Sequence, residues 1–259
     1  MNKDNVIFIL VRPNFLGNIG STARVMKNFG FSQLRLVSPP RNYLDAEARK
    51  MAVGAFDVLK RAKVESSLSS ALSDINLAFS TSACQHRTEE PVALGHLVQK
   101  INEEKQTEDN KIAFVFGDER DGLNREEIAR CHELTIVPTE LSFASLNLAQ
   151  ALGIVAYELS RQPALENYQA AKNIGIMPNG AEEDELMSLT CDLMDQANFS
   201  RRYNHELVTL QIRSALQKMR PNKREFDLLR GFLLRLNDRL KKSSSEQAAA
   251  PQAQDSDQI

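Results

Sequence analysis

Several absences narrow the field before any motif is considered. No apolar run in the 259 residues approaches the roughly 20 that a membrane-spanning helix needs. The run near the start, residues 6–11, is too short for a signal-peptide core and has no cleavage signature after it. Cysteine is scarce: Cys84, Cys131 and Cys191 lie far apart, with no CxxC or Cys/His spacing. That leaves no ligand set for a structural zinc and fits a reducing cytoplasm. No GxGxxG follows the first apolar run, which argues against dinucleotide oxidoreduction. Net charge is small, −2, but it hides a split. Residues 200–242 hold 12 Lys and Arg against 4 Asp and Glu, a local net of +8, and the rest of the chain carries −10. A basic block on an acidic body points to a polyanionic partner, although a solvated helix face balanced against the body reads the same way.

What is present is an ordinary globular composition, 42% hydrophobic and 25% charged, with length for one large domain or a medium domain and a smaller companion. Residues 6–11 (VIFILV) predict a strand buried on both faces, stopped at Arg12-Pro13. Residues 14–30 (NFLGNIGSTARVMKNFG) predict a helix with Asn18 as N-cap and Gly30 just past its end, and 33–38 (QLRLVS) a second strand. Strand, glycine-rich turn, helix and strand make a βαβ unit, hence a parallel sheet. Residues 45–59 read as helical with a break at Val53-Gly54-Ala55, 67–73 as a short helix, 75–79 as the third strand, and 91–104 as an amphipathic helix.

The rest is organised around residues 111–159. Residues 112–116 (IAFVF) form a buried strand, followed by Gly117-Asp118-Glu119-Arg120-Asp121-Gly122, a polar turn with a glycine at each end. Residues 134–137 are a further strand closed by Pro138, and Ser145 is placed to cap a long apolar helix ending near Leu159. A glycine loop at a strand end, beside a buried helix N-terminus, can bind a ligand through backbone N–H groups. About six strands alternate with helices over residues 1–160, one α/β domain. Residues 161–180 lose apolar periodicity and read as a linker. Three helices then follow, at 181–197, 203–218 and 222–241, forming a small domain or docking on a partner subunit. Residues 243–259 are rich in Ser, Ala, Gln and Asp and are expected to be disordered.

Three motifs carry a resemblance. Phe116-Gly117-x-Glu119-x-x-Gly122-Leu123, then Val137-Pro138, then Ser145-Leu146-Asn147-Leu148-Ala149 resemble motifs two and three of the SPOUT superfamily of RNA methyltransferases, in its TrmH-like branch. Asn18-x-Gly20-Ser21-x-x-Arg24 resembles motif one. Each alone is weak; in order at this spacing they are specific, and they cover about residues 5–160. The resemblance implies a parallel α/β domain with a C-terminal trefoil knot, S-adenosylmethionine as methyl donor, and a homodimer with active sites at its interface; no metal is expected, for want of ligand spacing. It implies Arg24 as the catalytic arginine, supported by Asn18, Ser145 and Asn147. It implies donor contacts from Thr81, Ser82, Ala83, Gly117, Val137, Ala144, Ser145 and Leu146, with Glu119, Gly122 and Leu123 shaping the turn and Gly117 letting the donor approach the backbone.

Within that branch, the layout of a catalytic domain (1–161), linker (162–180), basic helical extension (181–242) and tail resembles that of the tRNA cytidine/uridine 2′-O-methyltransferases, and the resemblance implies that activity. The implied target is the first nucleotide of the anticodon loop, and no membrane or DNA partner is expected. An rRNA ribose methyltransferase of the same fold is the near alternative. A non-catalytic RNA-binding relative is the distant one, opposed by Arg24, Glu119, Ser145 and Asn147 occurring together. A guanidinium with a pKa above about 12 is an awkward base, so Arg24 reads better as a phosphate clamp, with the base role left open. Two departures stand out: Ala144, where relatives often carry serine, and the acids Asp118 and Asp121 in a turn expected to lie near RNA.

Overall fold

The structure is a computed structural model that describes residues 2–82, 91–103, 110–160, 177–199, 204–219 and 221–249. Its centre is strand β1, Val6–Val11, every residue of which is buried. Alternate side chains explain why the run is apolar throughout. Val6, Phe8 and Leu10 enter one hydrophobic cluster, and Ile7, Ile9 and Val11 enter a second on the opposite face. The strands that follow are β2 (Gln33–Val37), β3 (Lys63–Glu65), β4 (Leu77–Thr81), β5 (Val92–Ala93), β6 (Ile112–Phe116) and β7 (Glu133–Ile136). They form one sheet, ordered β3-β2-β1-β6-β4-β7-β5, with every pair parallel.

Seven strands rather than six result because β3 and β5 are short edge pieces. Val64 in β3 is 53% exposed, so its sequence carries no burial pattern. The third expected strand also shifts from 75–79 to β4: Ile75 closes a turn on Leu72, and Asn76 side-chain groups tie the strand start to Lys111 and Met177.

Helices cover both faces. On the first lie α1 (Leu16–Asn28), α2 (Ala46–Ala52), α3 (Phe56–Arg61), α5 (Leu94–Glu103) and α7 (Leu148–Ser160), all contributing to the larger cluster. On the second lie α4 (Leu68–Leu72) and α6 (Arg125–Ala129). The extension, α8 (Gly180–Gln196), α9 (His205–Met219) and α10 (Lys223–Ala249), docks on this second face of its own chain. Asn179 and Glu182 cap α8 reciprocally, and Gly180 and Ala181 N–H groups donate to Ile75 and Ser73 carbonyls. The end of the expected linker is therefore built into the domain, with Met177 buried.

Of the apolar positions in the three helices, Leu186, Leu189, Leu193 and Met194 are buried, whereas Leu207, Phe232 and Leu236 are exposed. The expected tail begins inside α10, which runs on through residues 243–249. Propagating a nucleated helix through Ser, Glu, Gln and Ala adds one hydrogen bond per residue at little cost, which composition alone does not reveal. Among the described residues, no helix is long and apolar enough to cross a membrane.

Candidate active site

Helix α1 has no side-chain cap of its own. Its N-cap position is Phe15, and Asn18 lies inside the first turn, so the expected cap assignment is corrected. The missing acceptor comes from a hundred residues away. Glu119 in the glycine loop accepts from the backbone N–H of Asn14 (2.9 Å) and Phe15 (3.3 Å) and from Asn18 Nδ2 (2.8 Å). A carboxylate on the unpaired N–H groups of a helix start is well placed against the dipole.

The relay continues into the third motif. Asn147 Nδ2 donates to Asn18 Oδ1 (2.9 Å), while Asn147 Oδ1 accepts from Ala149 N (2.9 Å) and Gln150 N (3.4 Å). Asn147, not Ser145, is thus the cap of α7, and Ser145 stands exposed two residues earlier. One hydrogen-bonded chain, Glu119–Asn18–Asn147, ties together the three stretches that the motifs singled out.

The glycine loop is a closed turn. Gly122 N–H donates to Asp118 O (3.1 Å), and Gly122 takes a φ of +68°, open to glycine. A Cβ on Gly117 would lie 2.1 Å from the Gly122 carbonyl carbon. The turn itself therefore requires this glycine, in addition to any ligand that approaches it. Asp118 is not aimed at solvent. Its Oδ1 accepts from Arg120 N (3.0 Å) and Asp121 N (2.7 Å), its Oδ2 faces Arg12, and its side chain is 8% exposed. Burial pushes its pKa up, but these N–H groups and Arg12 outweigh burial and hold the carboxyl below its usual range. The acidity that looked out of place beside RNA is internal to the turn at Asp118; Asp121 is exposed.

Around this turn lies a cavity of about 220 Å³, lined by Thr81, Ser82, Gly117, Glu119, Gly122, Val137, Ala144, Ser145 and Leu146 among others. Thr81 Oγ1 donates to Val115 O (3.0 Å) and Ser82 N to Thr135 O (3.1 Å), fixing the strand end that forms one wall. Ala83 lies outside the described residues. The structure thus gathers seven of the eight expected donor contacts around one cavity, together with the turn residues Glu119 and Gly122. Further lining comes from Phe116 and Leu148, which lie in the motifs without an expected donor contact, from Asp118 and Asp121 of the turn, and from Arg120 and Ala151, which no motif marks. Arg24 does not join them. It is exposed, six residues beyond Asn18 and so roughly 9 Å further along α1. Among the described residues it has no hydrogen bond or ion pair, and it lines neither this cavity nor the larger one nearby. That larger space is an open, mainly apolar groove of about 990 Å³ between α1, α2 and α7, lined by Asn18, Ser21, Val25, Phe29, Met51, Ile154 and Tyr157 among others.

The parallel α/β sheet carries a glycine turn at a strand end and a polar relay joining it to two helix starts, and the cavity lies where sheets of this kind bind ligands. Comparison with known proteins gives the class. Residues 5–157 match the SpoU rRNA Methylase family, and the chain belongs to that family. It is 33% identical over 236 residues to the tRNA (cytidine/uridine-2′-O-)-methyltransferase TrmJ of Sodalis glossinidius, covering 88% of this chain and 90% of that one. It is 34% identical to the TrmJ of Photorhabdus laumondii, covering 89% and 95%. Among solved structures, TrmJ from Z. mobilis ZM4 superimposes with a TM-score of 0.77 at 29% identity, covering 89% of this chain and 98% of that one.

Proposed function

We propose that the protein is an S-adenosylmethionine-dependent tRNA ribose 2′-O-methyltransferase acting on a cytidine or uridine at the start of the anticodon loop. The observation that carries tRNA over rRNA is coverage. The family match stops at residue 157, whereas the likeness to tRNA methyltransferases takes in 88–89% of the chain and so extends into the helical extension. A loop nucleotide also suits the chemistry, because its ribose can be reached without melting a helix.

The cavity residues fit the donor by type. Val137, Leu146 and Phe116 offer apolar surface for a purine ring, Thr81 and Ser82 close one wall, and the Glu119 and Asp121 carboxylates suit a cation. When bound, the donor supplies a methyl group already activated by its sulfonium. The chain's own residues then have to hold the ribose 2′-OH in line and exclude other alignments. Ser145, exposed at the cavity edge, and Asn147, fixed by Asn18, orient the groups; Arg24 clamps the neighbouring phosphate. The ring of Phe143, 80% exposed two residues before Ser145, suits stacking on the target base.

Arg24 reaches the cavity of a second copy rather than its own. The open groove between α1, α2 and α7, with Met51 and Tyr157 each more than 40% exposed on it, is the surface that a homodimer covers. The return of α7 onto α1, past the glycine loop, is the part of the path compatible with a trefoil knot. The domain scheme follows the same reading: catalytic residues to about 161 and an RNA-binding extension beyond, working in a reducing cytoplasm where the thiols of Cys131 and Cys191 stay free. Mass spectrometry of tRNA and rRNA nucleosides from cells lacking the protein tests it. Loss of 2′-O-methylated cytidine or uridine from tRNA alone is expected, and loss from rRNA alone would transfer the activity to the alternative substrate.

A further inference from the structure

Arg12 ends the central strand in an unusual state. Its φ is +51°, a region that a side chain with a Cβ seldom occupies, yet its N–H remains bonded to Val37 O at 2.8 Å. The guanidinium then spans three pieces of chain. It pairs with both oxygens of Glu127 in α6, the second at 3.1 Å; it donates to Gly122 O at 3.3 Å; and it lies 3.5 Å from Asp118 Oδ2. Glu127 is itself committed, accepting from Asn124 N (2.8 Å) in the capping box that starts α6. The two loop positions held by Arg12, Asp118 and Gly122, are the partners of the turn's own bridge.

We propose that Arg12 is the positioning residue of the donor pocket. It fixes the glycine turn against α6, so that the 117–122 backbone is set before the donor arrives. The proposal rests on the reading of this cavity as the donor site. A planar fork is the group for the task, because it can meet a carboxylate on two oxygens and still offer an N–H to a carbonyl, as a lysine cannot. The side chain also explains why the strained backbone persists, since relaxing φ would swing the fork away from the loop. Preorganisation of this kind acts on donor affinity, while the tRNA-facing parts of the chain are untouched.

The test is calorimetric titration of the full-length protein with S-adenosylmethionine, alongside filter-binding of tRNA, for wild type, Arg12→Met, Arg12→Lys, Arg12→Gly and Glu127→Gln. Arg12→Met should weaken donor binding about tenfold or more, roughly 1.4 kcal/mol, with tRNA affinity and kcat at saturating donor within about twofold by the same arithmetic. Arg12→Lys should fall between. Arg12→Gly is the discriminating variant: it removes the backbone strain, so a purely conformational role predicts normal or better binding, whereas the clamp predicts the loss seen with Arg12→Met. Glu127→Gln keeps an oxygen for Asn124 and carries the test if the Arg12→Met variant does not fold; it should weaken the donor in the same direction. Wild-type donor binding with unchanged affinity in the folded variants overturns the role of Arg12. No donor binding by wild type overturns the assignment of the cavity, and this proposal with it.

Discussion

The two ends of the molecule use charge in opposite ways. At the glycine turn, charged and polar groups reach across the sequence: Glu119 to α1, Arg12 to α6 and the turn, Asn147 to Asn18. In the extension, the cations that looked available for RNA are partly consumed locally. Arg213 pairs with Asp184 (2.7 Å), Lys223 with Glu182, and Arg230 with Glu185 (2.9 Å), all acids of α8. Asp184 also holds Arg130 (2.8 Å) and Ser69, fastening α8 and α9 to the catalytic domain. Arg224, Arg235 and Arg239, in contrast, are exposed on α10 and have no partner among the described residues. A net charge of +8 over a stretch therefore says little about where RNA binds; the partner of each cation decides it.

The largest effect should come from Arg24. Arg24→Ala is expected to cut methylation by about 10²–10³ with donor affinity unchanged, the usual scale for losing one preorganised charged donor. Mixing it with a Gly117→Val protomer should restore activity in the heterodimer. Failure in a sample shown to exchange subunits counts against a shared site. Asn147→Ala should lower thermal stability by about 1 kcal/mol through the lost cap, and activity by more than that loss explains, because Asn18 is released too. Calorimetry and turnover on the same sample separate the two.

Next comes the split within the extension. Arg235→Ala and Arg239→Ala should each reduce the slope of log K against log salt for tRNA by up to about 0.9. Arg213→Ala should leave that slope alone and loosen α9. The smallest effect concerns acid. Burial raises the Asp184 pKa, but its bond from Ser69 and the charges of Arg130 and Arg213 hold it below the usual value. A depressed carboxyl stabilises above its ordinary pKa of about 3.9 and loses that contribution as pH falls through the folded value. The wild-type melting temperature should thus drop more steeply than that of Asp184→Asn below about pH 4, and the two should run parallel from about pH 5 to 8.

The sequence was legible where structure is local. Continuous apolar runs gave β1 and β6, and the order of three motifs gave the cavity lining and the family. It was opaque where a distant group supplies the answer. Asn18 looked like a cap because nothing nearby says that Glu119 will do the capping. Arg12 looked like punctuation before Pro13. Helix α6 carried a readable signature, Asn124 followed three residues later by Glu127, but five residues are too few to show periodicity. The basic block was counted correctly and assigned too broadly, because ion pairing with α8 depends on the tertiary path.

The most direct test is methylation in vitro. Purified protein, S-adenosylmethionine and either unmodified tRNA or rRNA are incubated, and the digested nucleosides and fragments are read by mass spectrometry. A single 2′-O-methyl on the cytidine or uridine opening the anticodon loop of tRNA, absent with Arg24→Ala, is the predicted result. A methyl group placed on rRNA, or none on tRNA while the donor is bound, would contradict the account.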